Sequence, residues 1–283
     1  MVQLKKLFTP VASLDPEAGR DFMASHPEGT YTLLDVRQPW EYEEAHIPGA
    51  KLVPLPRLLE GARELDREKP TIVHCAVGGR SRVAAQMLSG MGFKEVYNLA
   101  GGIEAYRGGK VAGPVELNLD LVRGDETPGE VLTLAYGLES GLKLFYDTLA
   151  ARGGDAAVTG LFTKLAQVEE IHRQKILALD NRLRAEDRGA ARPADSGPPT
   201  IMEGGFDIRE FMMKNEPYTH TSPQILELAM MLETQALDLY LRLAGKSAHQ
   251  AARELLYTLA DEEKAHLTRL GQMLEEKGGA PEA

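Results

Sequence analysis

Residues 259–266 read Leu-Ala-Asp-Glu-Glu-Lys-Ala-His, and residues 165–172 read Leu-Ala-Gln-Val-Glu-Glu-Ile-His. Each stretch places a glutamate three positions before a histidine, Glu263 with His266 and Glu169 with His172, and the pairs lie 94 residues apart (266 − 172). Positions i and i+3 share one face of an α-helix, so each pair presents a carboxylate and an imidazole together. Thirty residues before each glutamate stands another, Glu139 and Glu233, and seven residues after those stands a tyrosine, Tyr146 and Tyr240. Glu, Tyr, Glu and His kept at one offset inside helical sequence are hard to obtain by accident.

Long helical patterns surround these residues. Thr127-Pro128-Gly129-Glu130 supplies an N-cap, a proline at the first helical position and a glutamate at N3, starting a helix over about 128–151. Further helices are predicted over about 155–183, 222–245 and 247–277, the third begun by Ser222-Pro223. The connection 184–221 is long, polar and rich in Pro and Gly, with room for one short helix at 206–214. On these helices Glu139 falls among Ala135, Leu142 and Tyr146, and Glu233 among Ala229, Met230, Ala236 and Tyr240. A carboxylate in an apolar stripe is costly to desolvate unless it is paired or metal-bound. Four inward carboxylates and two histidines can coexist once two divalent cations supply the opposing charge. Glu170 and Glu262 have no counterpart at the offset and read as solvated.

One Glu from each of two helices plus Glu-x-x-His from each of two others is the ligand pattern of ferritin-like di-iron carboxylate bundles. Over about residues 127–275 the sequence resembles the rubrerythrin branch of that superfamily. The resemblance implies an all-α ferritin-like four-helix bundle whose non-haem di-iron centre reduces peroxide or consumes oxygen. Its ligands would be Glu139, Glu169, His172, Glu233, Glu263 and His266, holding two iron ions per chain. Manganese is also compatible with that donor set. Rubrerythrins carry a rubredoxin module for electron entry; here Cys75 is the only cysteine, so a four-cysteine iron site cannot form. An electron donor of unknown identity is therefore an expected partner.

The first hundred residues alternate strand and helix signals, with strands at 31–35, 71–75 and 95–99 and a helix at 81–90. That alternation predicts an α/β domain with a mostly parallel sheet. Where the second strand meets the helix runs Cys75-Ala76-Val77-Gly78-Gly79-Arg80-Ser81. Backbone N–H groups of such a loop form an anion-binding nest, and the helix dipole adds positive potential. A thiol held there should ionise below its free value of about 8.5.

The loop, together with Leu33-Leu-Asp-Val-Arg37, His46-Ile-Pro-Gly-Ala50 and Asn98-Leu-Ala-Gly-Gly102, resembles the rhodanese family of sulfurtransferases over about residues 5–108. The resemblance implies a persulfide on Cys75, formed from a sulfane-sulfur donor such as thiosulfate. Arg80 and the loop Ala76, Val77, Gly78, Gly79 and Ser81 would hold the donor's anionic oxygens and the transferred sulfur. Ala76 and Val77 depart from the charged or polar residues of many relatives, which counts against thiosulfate itself. Asp35, Arg37 and His46 read as scaffold beside the site.

The expected organisation is therefore a rhodanese-like domain at 1–112, a linker at 113–126 and a ferritin-like bundle at 127–283. A chain of 283 residues with 43% hydrophobic content supports two ordinary cores. A net charge of −10 argues against nucleic acid or an anionic membrane as partner. The first ten residues lack the apolar run of a signal peptide, no stretch approaches a bilayer span of ~20 residues, and a cytoplasmic location is expected. Expected partners are small sulfur donors and acceptors and the electron donor; a homodimer is compatible with the sequence. The favoured function is sulfur transfer fused to di-iron redox chemistry. The alternatives are non-catalytic iron or persulfide sensing or storage, and sulfur oxidation by the di-iron site.

Overall fold

The computed structural model describes residues 11–186 and 200–278. The chain divides into two compact units, Met1–Leu117 and Asn118–Ala283.

In the first unit β1 (Ala12–Leu14), α1 (Pro16–Ser25), β2 (Thr32–Asp35), α2 (Pro39–Glu44), β3 (Lys51–Leu52), α3 (Leu58–Gly61), β4 (Thr71–His74), α4 (Gly79–Gly90), β5 (Val96–Leu99) and α5 (Gly102–Ala105) follow in order. The strands form one five-stranded sheet in the order β1-β5-β4-β2-β3, and every pairing is parallel. Both faces are covered. Leu34 and Val73 join one core cluster with Leu58, Ala84 and Leu88. Their neighbours Leu33 and Ile72 point the other way, into a cluster with Tyr42, Leu99 and Ile103. This is why β2 and β4 read as continuous apolar runs rather than alternating ones: both sides of a parallel sheet are buried. α4 starts at Gly79, two residues ahead of the predicted start at Ser81, with Gly78 as its left-handed N-cap.

The second unit contains α6 (Pro128–Ala151), α7 (Ala156–Glu186), a two-stranded antiparallel hairpin of β6 (Ile201–Met202) and β7 (Phe206–Asp207), α8 (Ile208–Asn215), α9 (Ser222–Lys246) and α10 (Gln250–Gly278). α6 starts at the predicted capping box, with Thr127 and Glu130 bonding reciprocally. The cap of α9 is Thr221, which accepts from the N–H of Gln224, rather than Ser222. The predicted short helix in the connection is α8; residues 187–199 of that connection lie outside the described residues. Residues 118–126 pack on this unit: Val122 is buried in its core, and Ala248 N–H donates to Gly124 at 2.7 Å.

The core of the bundle is split in two. One cluster holds Leu132 and Leu138 of α6, Ile176 of α7, Tyr240 of α9 and Leu256 of α10. The other holds Leu142 of α6, Leu165 of α7, Leu232 of α9 and Leu270 of α10. On each helix the change from one cluster to the other falls at the repeated glutamate or its histidine. Apolar layers above and below thus enclose one polar layer in the middle.

The hairpin comes against α6 where Gly141 leaves room: a Cβ there would lie 2.2 Å from the Ile201 carbonyl oxygen and 2.7 Å from Met202 Cα. Since the obstacle is backbone, Gly141→Ala is expected to destabilise the protein by about 1–3 kcal/mol, the usual cost of overpacking. Chemical denaturation measures it, and an unchanged midpoint would refute the packing.

Candidate active site and metal centre

Cys75 directly follows β4, and its side chain belongs to the apolar cluster under α4. The loop that follows turns its carbonyls away: Ile103 N–H donates to Cys75 O at 2.9 Å and Glu104 N–H to Ala76 O at 3.1 Å. Gly102 makes that approach possible, since a Cβ there would lie 2.3 Å from both carbonyl oxygens. With the carbonyls so engaged, the amides face the sulfur, and Gly78 N–H donates to Cys75 Sγ at 3.1 Å. Gly78 takes φ +92, and a Cβ there would meet Gly101 N at 3.0 Å, so the turn requires glycine.

Burial raises the Cys75 thiol, but the Ser81 hydroxyl and the N–H groups of Ser81, Gly78 and Val77 outweigh it and hold the thiol below its ordinary value. The Ser81 hydroxyl lies 3.4 Å from Sγ and 2.7 Å from Asn98 Oδ1, so its single proton is shared between two acceptors. His74, the preceding residue, is fully buried and its pKa is pushed down to about 4 by burial; at neutral pH it carries no charge.

Arg80 does not point freely at the loop. Its Nη1 and Nη2 donate to Glu41 of α2 at 2.7 and 2.6 Å, a bidentate pair. Hydrogen bonding from Arg80, with help from the Gln38 N–H, overcomes burial and holds the Glu41 carboxyl down at about 2. Asp35, Arg37 and His46 are buried and engaged with neighbouring side chains and backbone. Arg37 forks onto Asp35 and donates to the Ala45 carbonyl at 2.7 Å, while His46 stacks on Tyr42 with ring centroids 3.6 Å apart.

In the bundle all six expected ligands are buried within the polar layer. Glu139 comes from α6, Glu169 and His172 from α7, Glu233 from α9, Glu263 and His266 from α10. Ligand atoms of Glu139, Glu169 and His172 lie within 4.8 Å of one another, and so do those of Glu233, Glu263 and His266. The i, i+3 spacing acts as predicted: His172 Nδ1 is 2.9 Å from Glu169 Oε2, and His266 Nδ1 is 3.0 Å from Glu263 Oε2. The two imidazoles stack at 3.6 Å between centroids. Glu170 and Glu262 stay outside, paired with Arg173 and Lys175.

A fifth carboxylate completes the layer. Glu203, at the tip of the β6–β7 hairpin, is 1% exposed and stands within 4.8 Å of Glu139 and Glu263 on one side and of Glu169 and Glu233 on the other. Gly204 and Gly205, both at positive φ, make the tight turn that delivers it, and Asn118 Nδ2 holds the Gly204 carbonyl at 2.8 Å. The repeat is blind to Glu203, because 94 residues earlier stands Gly109. The available signal was Met-Glu-Gly-Gly-Phe, a hairpin-like glycine pair inside the polar connection. Glu203 also breaks the twofold likeness of the tyrosines: Tyr240 donates to it at 3.2 Å, while the buried Tyr146 hydroxyl has no hydrogen-bond partner.

The electrostatics call for cations. Burial first, then mutual repulsion, pushes Glu139, Glu169, Glu203 and Glu263 well above the usual carboxylate range. Glu233 is also opposed by burial, but bonds from Glu263 and His266 carry it below that range. Burial, then the His266 charge, brings the His172 pKa down to about 3, leaving a neutral ring able to ligate. Glu139 Oε2 is buried with no hydrogen-bond partner, an orphan that a metal ion would satisfy. The donor set of oxygens and imidazole nitrogens suits iron or manganese.

Comparison with known proteins follows the same division. The family profile described as Rubrerythrin matches residues 130–274, and the profile described as Rhodanese-like domain matches residues 20–108. The Rhodanese-like/PpiC domain-containing protein 12, chloroplastic, of Arabidopsis thaliana is 49% identical over 78 residues, 26% of this chain and 26% of its own length. YqhL of Bacillus subtilis is 43% identical over 79 residues, 28% of this chain and 62% of its own length. Thiosulfate sulfurtransferase GlpE of Coxiella burnetii is 43% identical over 75 residues, 26% of this chain and 70% of its own length. The chain thus spans about a quarter of the plant protein and under two thirds of YqhL. A rhodanese from E. coli solved with anions aligns over 29% of this chain and 99% of its own at 34% identity, with a TM-score of 0.28. No helix among the described residues is long and apolar enough to cross a membrane.

Because the hydroxyl of Ser81 helps hold the Cys75 thiolate, Ser81→Ala is expected to raise the thiol pKa and slow alkylation at neutral pH by roughly two- to tenfold. Iodoacetamide rates across a pH series measure the shift; an unmoved profile would leave the backbone amides as the sole cause.

Proposed function

The chain belongs to the rubrerythrin family and carries a rhodanese-like domain, and from that premise we propose two activities in one polypeptide. Cys75 transfers sulfane sulfur, and the bundle reduces peroxide or oxygen at a di-iron centre. For the first, the observation that carries the reading is the Gly78 N–H aimed at Cys75 Sγ from 3.1 Å. The thiolate attacks the outer sulfur of a donor, the donor's S–S bond breaks, and the loop amides hold the charge on the sulfur that Cys75 receives. A thiol or cyanide then takes that sulfur and frees Cys75.

For the second, the carrying observation is the buried layer of Glu139, Glu169, His172, Glu203, Glu233, Glu263 and His266. Two iron ions fit the paired groups, with Glu203 near both. Iron, when bound, supplies the electrons for reducing peroxide or oxygen. The tyrosines hold protons at the edge of the layer: the Tyr240 hydroxyl is bonded to Glu203 Oε1, and the Tyr146 hydroxyl is free to donate inward. Leu138 and Leu142, on either side of Glu139, keep the layer dry. Electrons come from a donor outside these 283 residues, whose single cysteine, Cys75, cannot make a four-cysteine iron site.

Cys75→Ser is expected to abolish thiocyanate formation from cyanide and any active sulfur donor; more than a trace of residual activity would overturn the assignment. Iron reconstitution followed by elemental analysis is expected to give two irons per chain, and His172→Ala and His266→Ala should each weaken retention of one. One iron or none in the wild type would contradict the metal centre. Sustained peroxide consumption with a chemical reductant separates a redox enzyme from an iron store, which would stop after one turnover.

A further inference from the structure

The sulfur site contains a charge arrangement that its motif does not disclose. Between Cys75 and Ser81 the only charged side chain is Arg80; its guanidinium gives one N–H from each Nη to Glu41 and also interacts with the Cys75 sulfur. Arg37, the nearest cation in sequence to Glu41, is committed to Asp35. With Cys75 ionised, the thiolate, Arg80 and Glu41 together carry one net negative charge. Thiosulfate is a dianion, and the Arg80 charge that would offset its sulfonate is already offset by Glu41. The loop also offers a carbon surface, Val77, which is 63% exposed.

We propose that Glu41 is a specificity-determining residue that turns this site from thiosulfate toward a carbon-bound persulfide, R–S–SH. This rests on Cys75 being the sulfur carrier. The Cys75 thiolate attacks the terminal sulfur of R–S–SH. A Cys75–S bond to that sulfur forms, the R–S to S bond breaks, and R–S⁻ leaves with the bonding electron pair. The terminal proton stays on the transferred sulfur or passes to R–S⁻, so Cys75–S⁻ and R–S–SH give Cys75–S–SH and R–S⁻ with no outside oxidant or reductant. The donor leaves no sulfonate to be neutralised, and its carbon chain meets Val77. Such a persulfide can sit on a small thiol or on a protein cysteine; the chemistry at Cys75 is the same.

The full-length protein is assayed with cyanide as acceptor and three donors: thiosulfate, the persulfide of N-acetylcysteine methyl ester, and persulfidated albumin. Wild type is expected to use at least one carbon-bound persulfide with higher kcat/KM than thiosulfate, and which one it uses identifies the source. Its thiosulfate kcat/KM should rise with ionic strength, because salt screens repulsion at a net negative site. Glu41→Gln frees Arg80 and should raise thiosulfate kcat/KM about tenfold, mainly through KM, with the salt dependence reversed. Val77→Lys, at an exposed position, should also raise it severalfold.

A wild type that prefers thiosulfate over both persulfides overturns the proposal. So does a folded Glu41→Gln variant that loses activity equally with every donor, which would make Glu41 only a support for Arg80. Intact mass separates the two levels of inference: if no donor adds sulfur to Cys75, the sulfur-transfer reading itself falls. If thiosulfate alone loads it, only the specificity does.

Discussion

The bundle is organised by the cost of placing five carboxylates and two imidazoles out of water. Each ion taken from water into a protein interior costs several kcal/mol unless opposite charge and hydrogen bonds offset it. Every feature around the layer serves that offset. The long helices bring Glu139, Glu169, Glu233 and Glu263 to one level, apolar clusters seal both sides, and the β6–β7 hairpin inserts Glu203 from the side. What remains is a site with more negative capacity than its own protons and hydrogen bonds resolve, and the unpartnered Glu139 Oε2 marks where a cation belongs.

The rhodanese-like unit handles buried negative charge by other means. One thiolate is small enough for backbone amides to hold, provided the carbonyls of the same loop are drawn off elsewhere. Ile103 and Glu104 do that, and Gly78 and Gly102 permit the close backbone approaches involved. Arg80 then has a different part from that of a free anion receptor. Paired with Glu41, it contributes hydrogen-bond geometry near the sulfur while adding almost no net charge.

The two sites also differ in how tightly their parts are specified. The polar layer is made of side chains on long helices, whose spacing along one face is set by the helical period. Glu203 is the exception: it depends on a hairpin only two residues deep on each side, two left-handed glycines and an anchor from Asn118. Its position balances between both halves of the layer, whereas the six helical residues divide evenly between them.

By itself the sequence determined the duplicated helical pattern, the six helical Glu and His residues of the polar layer, the capping box that starts α6, and the cysteine loop between a strand and a helix. All of these are written in short-range spacing, three, four or seven residues along one element, or in a repeat of such spacings. Only the tertiary structure decided Glu203 and Glu41. Glu203 meets Tyr240 across 37 residues of chain, and Glu41 meets Arg80 across 39. Neither pairing leaves a period in the sequence, because each is set by how loops and neighbouring elements return to one another after the cores have packed. Periodicity reports which residues share a face; which charge from another element is brought against that face is settled by packing.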